Sequence, residues 1–196
     1  MKNILFIASE GVPFIKTGGL ADVVGSLPKG IDKEYYDVRV ILPKYNCMHQ
    51  DKKDMLHYRD HFYMEFNWKN EYVGILEAEY DGIKYYFIDN EYYFNGFKPY
   101  CDNALFEIEK FAFFSKAALS IGFRPDLIHC HDWQTGLIPV YLHERFAGGE
   151  FYRGIKTVMT IHNLKFQGKW SIKEVQSITG LPDYYFAPDK LEAYKD

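Results

Sequence analysis

The stretch Asn3-Ile4-Leu5-Phe6-Ile7-Ala8-Ser9-Glu10-Gly11-Val12-Pro13-Phe14-Ile15-Lys16-Thr17-Gly18-Gly19-Leu20 decides how the rest of the chain is read. Its first seven residues are a short, continuous, β-prone apolar run, the pattern of a strand buried on both faces. After the glycines, Leu20, Val23, Val24 and Leu27 fall at helical spacing on one stripe. Gly18 and Gly19 therefore sit where a strand hands over to a helix. Backbone N–H groups at a helix start are unpaired and carry partial positive charge, so they attract phosphate oxygens. Glycine lets a phosphate approach the backbone, and Lys16 adds a flexible point charge. The same residues also fit a tight turn beside a solvated lysine.

Working outward, Asp37-Val38-Arg39-Val40-Ile41-Leu42 reads as a second strand ended by Pro43. Strand, helix and strand make a βαβ unit, which favours a parallel sheet with right-handed crossovers. Residues 44 to 58 are polar and mixed, a long loop or a short helix. From His61 the period changes to two: Phe62, Met64, Phe66 and Trp68 alternate with polar or tyrosine positions. The runs 72–80 and 83–88 flank Asp81-Gly82, a two-residue hairpin signal. An antiparallel insertion in, or edge on, the parallel sheet is expected. Residues 89–100 read as an irregular aromatic loop. Its rings would either stack on sugar or fold back over the core.

Asp102 or Asn103 can cap a long helix to about Ile121, with Gly122 as its left-handed end. Its apolar residues cover most of its circumference, so it is expected to be buried. Leu127-Ile128-His129-Cys130 reads as a buried strand, followed by His131-Asp132-Trp133-Gln134-Thr135-Gly136-Leu137 and a helix through about Arg145. Residues 156–161 form another strand before His162-Asn163-Leu164. Beyond Gly168 the pattern weakens: residues 172–178 suit a helix and 181–186 an aromatic loop. Each polar cluster (Lys16 with its glycines, His131 with Asp132, His162 with Asn163) follows the carboxyl end of a strand, where open α/β sheets bind ligands. Adjacent strands would bring the three to one crevice. Asp132 beside His131 suits acid–base work, anchoring of sugar hydroxyls, or capping of the next helix. His162 suits orienting a substrate or a purely structural loop role. His129, inside a strand, reads as a core residue.

The 196 residues suit one domain able to bury roughly 70% of its unfolded surface. A net charge of −4 gives no reason to expect nucleic acid or acidic membrane as a partner. No apolar run approaches the ~20 residues that span a bilayer, and Met1-Lys2 shows no cleavable signal pattern. Cys47, Cys101 and Cys130 lack metal-type spacing and suit free thiols in a reducing cytosol. No G-x-S-x-G, H-E-x-x-H, C-x-x-C pair or P-loop is present, and no G-x-G-x-x-G follows the first strand. That last absence counts against a dinucleotide oxidoreductase.

Three motifs in order, Lys16-Thr17-Gly18-Gly19-Leu20-Ala21-Asp22-Val23, His129-Cys130-His131-Asp132-Trp133-Gln134-Thr135-Gly136-Leu137 and Thr160-Ile161-His162-Asn163-Leu164, closely resemble bacterial glycogen synthase and plant starch synthase. The helix from Asp102 to Leu119 is similar too, departing at Lys110, where an arginine is usual. The resemblance implies an α/β fold: a Rossmann-like open parallel sheet with helices on both faces and a hairpin insertion, the amino-terminal half of a GT-B arrangement. It implies transfer of glucose from a nucleotide sugar (ADP-glucose or UDP-glucose) to an α-1,4-glucan with retention, with no cofactor, no metal and a cytoplasmic location. By the same resemblance Lys16, Gly18 and Gly19 bind the donor diphosphate. His162 and Asp132 are the catalytic candidates, Asp22, Asn163 and Tyr93 the sugar or acceptor candidates, and Asn163 supports His162. Residues 1–196 would be a truncated amino-terminal domain whose carboxy-terminal partner is absent, leaving the chain inactive alone. Two other readings are a stand-alone glucan-binding module and another nucleotide-sugar transferase such as a sucrose synthase relative.

Overall fold

The opening apolar run forms β1 (Lys2–Ile7), an interior strand of the sheet. The computed structural model describes residues 1–146 and 148–192. Ala147 and residues 193–196, with which the expected domain ends, lie outside the described residues. After β1 come α1 (Gly19–Ser26), β2 (Tyr36–Pro43), α2 (Gln50–Lys53), β3 (His57–Phe66), β4 (Lys69–Tyr80), β5 (Ile83–Asp89), α3 (Glu91–Phe94), α4 (Ala104–Ala118), β6 (Leu127–His131), α5 (Ile138–Tyr141), β7 (Lys156–Thr160) and α6 (Ile172–Thr179). The strands form one sheet in the order β3-β4-β5-β2-β1-β6-β7. From β5 to β7 all neighbours are parallel, while β3, β4 and β5 pair antiparallel. The hairpin thus extends one edge of the parallel sheet.

Burial explains the order. Successive residues Leu5, Phe6 and Ile7 of β1, Val40, Ile41 and Leu42 of β2, and Tyr85 to Ile88 of β5 are all at most 1% exposed. A strand buried at every position has both its faces covered. On α1 the buried stripe is Leu20, Ala21 and Val24, with Gly25. Gly25 is required there, because a Cβ would lie 2.2 Å from the Val12 side chain and 2.6 Å from its carbonyl oxygen. Leu27, expected on this stripe, is 43% exposed: the helix ends at Ser26, and Pro28 in the following 3-10 turn is the buried residue instead.

Three other expectations change. The strand expected through Trp68 stops at Phe66, because Asn67 and Trp68 both adopt positive φ (48° and 63°) as a two-residue turn. The expected Asp81-Gly82 turn forms, with φ of 51° and 69°. Within the aromatic loop, Asn90 accepts hydrogen bonds from the amides of Tyr92 and Tyr93 and so caps the single turn α3. The helix expected through Arg145 is broken into a 3-10 turn at Trp133–Thr135, α5, and a π-helical turn at Leu142–Phe146. Pro139 cannot donate within a continuous helix, so regular structure restarts around it. Asn103 caps α4 through Phe106 N–H, as expected. Among the described residues no helix is long and apolar enough to cross a membrane.

Candidate active site

The strand β1 has β2 on one side and β6 on the other, so the direction of chain winding reverses at β1. Such a switch point opens a crevice beyond the carboxyl ends of its strands. The Glu10–Gly19 turn leaves β1 there, His131 and Asp132 end β6, and His162 follows β7. All three expected clusters therefore share one edge. Two of them are in direct contact.

In the first cluster the turn is closed by Gly11 and Ile15, whose backbones bridge, and by Val12 N–H donating to Ala21 O at 3.0 Å. The Thr17 and Gly18 amides donate to Glu10 Oε2, the latter at 3.3 Å, and Tyr100 hydroxyl donates to Glu10 Oε1 at 3.4 Å. Ser9 pairs with the same tyrosine at 2.8 Å. Burial is the main cause that raises the Tyr100 phenol, followed by the nearby Glu10 carboxylate. Lys16 Nζ lies 2.7 and 2.8 Å from the two oxygens of Asp22, both side chains about half-exposed. Among the described residues, chain neighbours and the backbone of α1 aside, nothing lies within 4 Å of a Cβ built on Gly19, and only a Glu10 oxygen at 3.7 Å meets one on Gly18. Packing within the chain does not demand glycine at either position. Sequence reading missed Glu10, because a carboxylate accepting from amides seven and eight residues ahead has no local signature.

The second and third clusters form one unit. Asp132 stands at φ 57°, ψ 179°, a region nearly exclusive to glycine, and its strain is held by surrounding bonds. Its amide donates to Thr160 O at 2.9 Å, and Thr135 hydroxyl donates to its carbonyl at 3.2 Å. The Asp132 side chain does not cap the following turn. Instead Oδ1 accepts the His162 amide at 2.6 Å, tying the loop after β7 to that after β6. The rings of His129, His131 and His162 stack in series, with centroids 4.2 and 5.2 Å apart. His131 Nδ1 lies 2.9 Å from His162 Nε2, and His129 Nε2 lies 2.7 Å from Thr160 Oγ1. His131 is fully buried, and burial first, then His129 and His162, pulls it down to about 3. Burial also lowers His129. Gly168, at φ 62°, lets the Trp133 ring pack 2.8 Å from where a Cβ would stand.

Two expected residues sit differently. Asn163 Oδ1 accepts from Lys165 N–H at 3.0 Å, an Asx turn, so His162 is held by His131 and Asp132 and not by Asn163. Tyr93 is 2% exposed, stacked on Phe113 at 4.4 Å, and its hydroxyl donates to Glu109 at 3.0 Å. A ring packed on both sides offers no face to a sugar; the exposed rings of that loop are Tyr92 and Phe97. A cavity of about 530 Å³ lies between Phe111, Trp133, Trp170 and Val175, and Lys16, Asp132 and His162 do not line it. Among the described residues no group of three His, Cys, Asp or Glu is placed to hold a metal ion.

Comparison with known proteins places the chain. Residues 3–196 match the family described as Starch synthase catalytic domain. The glycogen synthase of Lachnospira eligens is 64% identical over 201 residues, covering 100% of this chain and 42% of that protein. That of Lachnoclostridium phytofermentans is 64% identical over 200 residues, with the same coverage. In structure, the catalytic domain of starch synthase IV from Arabidopsis thaliana, bound to ADP and acarbose, superposes with a TM-score of 0.81 at 30% identity, covering 96% of this chain and 39% of that one. The chain thus spans about two fifths of the length of the relatives it matches. A mostly parallel sheet with its polar loops gathered at the switch point, matched over residues 3–196 by this family, makes the chain a member of the starch synthase catalytic domain family.

Proposed function

We propose that the chain is the amino-terminal domain of a cytoplasmic glycogen synthase, which transfers glucose from ADP-glucose or UDP-glucose to the non-reducing end of an α-1,4-glucan with retention. What carries this reading is the 64% identity to glycogen synthase across the whole chain. The starch synthase bound to ADP and acarbose supports a nucleotide donor and a sugar ligand. A second domain, supplying the nucleotide-base pocket, faces the crevice across the carboxyl edge of the sheet, and no cofactor takes part.

In this reading Lys16 turns from Asp22 to the donor diphosphate, and the uncrowded backbone at Gly18 and Gly19 lets phosphate oxygens reach the start of α1, where they take the place of Glu10 on the Gly18 amide. The bond from glucose C1 to the β-phosphate oxygen breaks while the acceptor hydroxyl attacks C1 from the same face. The acceptor proton passes to the departing phosphate. Negative charge then builds on the diphosphate, where preorganised donors lower the barrier. Asp132 and His162 border the donor glucose and the acceptor end, with Asp22 beside them once Lys16 is released. Tyr92 and Phe97 border the acceptor path.

The test is glucose incorporation into glycogen from radiolabelled ADP-glucose by the longer protein, with and without Lys16→Ala. Loss of one charge-assisted hydrogen bond removes about 1.5–3 kcal/mol, roughly a 10- to 100-fold fall in kcat/KM. Unchanged kcat and unchanged donor KM would remove Lys16 from the site. Retention of the chain on amylose without any transfer by the longer protein would favour the glucan-binding module.

A further inference from the structure

We propose that His131 is a positioning residue: it fixes His162 as a neutral imidazole whose single proton sits on Nδ1, as a hydrogen-bond donor toward the crevice. The contact is the 2.9 Å approach of His131 Nδ1 to His162 Nε2, with the two rings inclined by only 18°. One of these two nitrogens must carry the proton between them. The surroundings of His131 decide which.

His131 has no exposed surface and packs against the His129 ring at 4.2 Å and the Phe6 ring at 5.5 Å, which also touch each other at 4.8 Å. Such a setting disfavours the charged form, so the ring holds one proton. Its Nε2 is buried and meets no hydrogen-bond partner among the described residues. With the proton on Nε2, an N–H donor would be stranded among rings. With the proton on Nδ1, the stranded group is a lone pair, and the N–H is used on His162. Orphaned buried N–H groups are rarer in native proteins than under-satisfied acceptors. The proton therefore belongs on His131 Nδ1, and His162 Nε2 is the acceptor.

The rest follows from valence. A neutral His162 with a bare Nε2 carries its proton on Nδ1. That nitrogen makes no hydrogen bond to a described residue and is not among the buried unpaired atoms, so it stays open to solvent. The His162 amide is separately held by Asp132 Oδ1, which fixes where the ring starts. Of its two nitrogens, one is committed to accepting from His131 and the other already bears a hydrogen. In this state His162 presents a donor to an oxygen acceptor, a sugar hydroxyl or a phosphate oxygen, and does not take up an acceptor proton. The identity of that oxygen rests on the glucosyl-transfer reading; the tautomer rests on contacts within the chain.

Long-range proton–nitrogen correlation spectra of the chain labelled with ¹⁵N in its histidine rings, at mildly alkaline pH, test the assignment. His162→Gln identifies the signals. Expected are a protonated Nδ1 and a bare, hydrogen-bonded Nε2 at His162, the reverse of the tautomer that free histidine prefers. A protonated Nε2, or averaging between tautomers, overturns the proposal. His131→Phe should return His162 to the free-histidine preference, while His131→Asn, whose amide can donate from the same place, should retain the Nδ1–H form. Should the phenylalanine variant not fold, the parent spectrum decides by itself. A longer protein inactive on every nucleotide sugar would count against the function proposed above and leave the tautomer result standing.

Discussion

Burial holds the His131 ring neutral down to about pH 3, whereas in the unfolded chain it takes up a proton near pH 6.5. Between these values the unfolded state binds the extra proton, so stability falls as pH falls. His131 alone should cost about 2 kcal/mol between pH 7 and pH 5, from the 1.36 kcal/mol carried by each pKa unit. Its lowered neighbour His129 adds in the same direction. Urea unfolding at the two pH values should show the loss, and His131→Phe should flatten the dependence. An equally steep dependence in that variant would assign it to other groups.

At the scale of elements, α4 carries an ion pair that its apolar sequence does not advertise. Lys110 and Glu107 are 3% and 8% exposed at the side chain and hydrogen-bonded to each other, and Lys110 also donates to Pro99 O at 2.6 Å. Glu107 in turn accepts from Cys101 N–H at 2.9 Å, so the pair holds down the loop before the helix. Lys110→Met leaves an uncompensated buried carboxylate and should cost about 3–5 kcal/mol in chemical denaturation; a cost under ~1 kcal/mol would mean that the charge escapes to solvent. The β3–β4 turn offers the opposite case. Trp68 is 91% exposed in left-handed backbone, which costs a non-glycine residue about 1–2 kcal/mol. Trp68→Gly should raise the melting temperature, and a fall would show that the indole contributes contacts. These elements mark how far the sequence could be read. β1, β2, β5 and the Asp81-Gly82 turn were legible because burial and turn chemistry are local in sequence. The Asn67-Trp68 turn was hidden by an apolar residue continuing the alternation, and the break at Pro139 by helical residues on both sides. At the candidate site, the three clusters and their shared edge were readable because each follows the carboxyl end of a strand, while the adjacency of those strands came from the structure. The Glu10 bonds to the turn, the His131–His162 contact and the burial of Tyr93 were not, because each depends on partners 7 to 31 positions away in the chain.

On the scale of the whole molecule, the sheet ends on one side in the charged hairpin strand β3 and on the other in the apolar strand β7. The outer edge of β7 has no strand beside it among the described residues, and Val158, Met159 and Ile161 are 45%, 39% and 61% exposed. Leu164 and Phe166 extend the apolar surface. An open strand edge with apolar side chains is a template for pairing with another copy. The isolated chain should therefore self-associate with rising concentration in sedimentation velocity, and Met159→Lys should shift it toward monomer; a chain that stays monomeric throughout would show that β7 is already protected. The turn after β1 has a last consequence at this scale. Its cationic and polar groups are already matched by anions of the chain itself, Glu10 on the amides and Asp22 on Lys16. On the function proposed above, an incoming donor phosphate would therefore replace an internal counter-ion rather than shed salt ions from a bare positive patch. Attraction exerted by this wall of the crevice should accordingly depend little on ionic strength, with selectivity set by which anion fits the turn better.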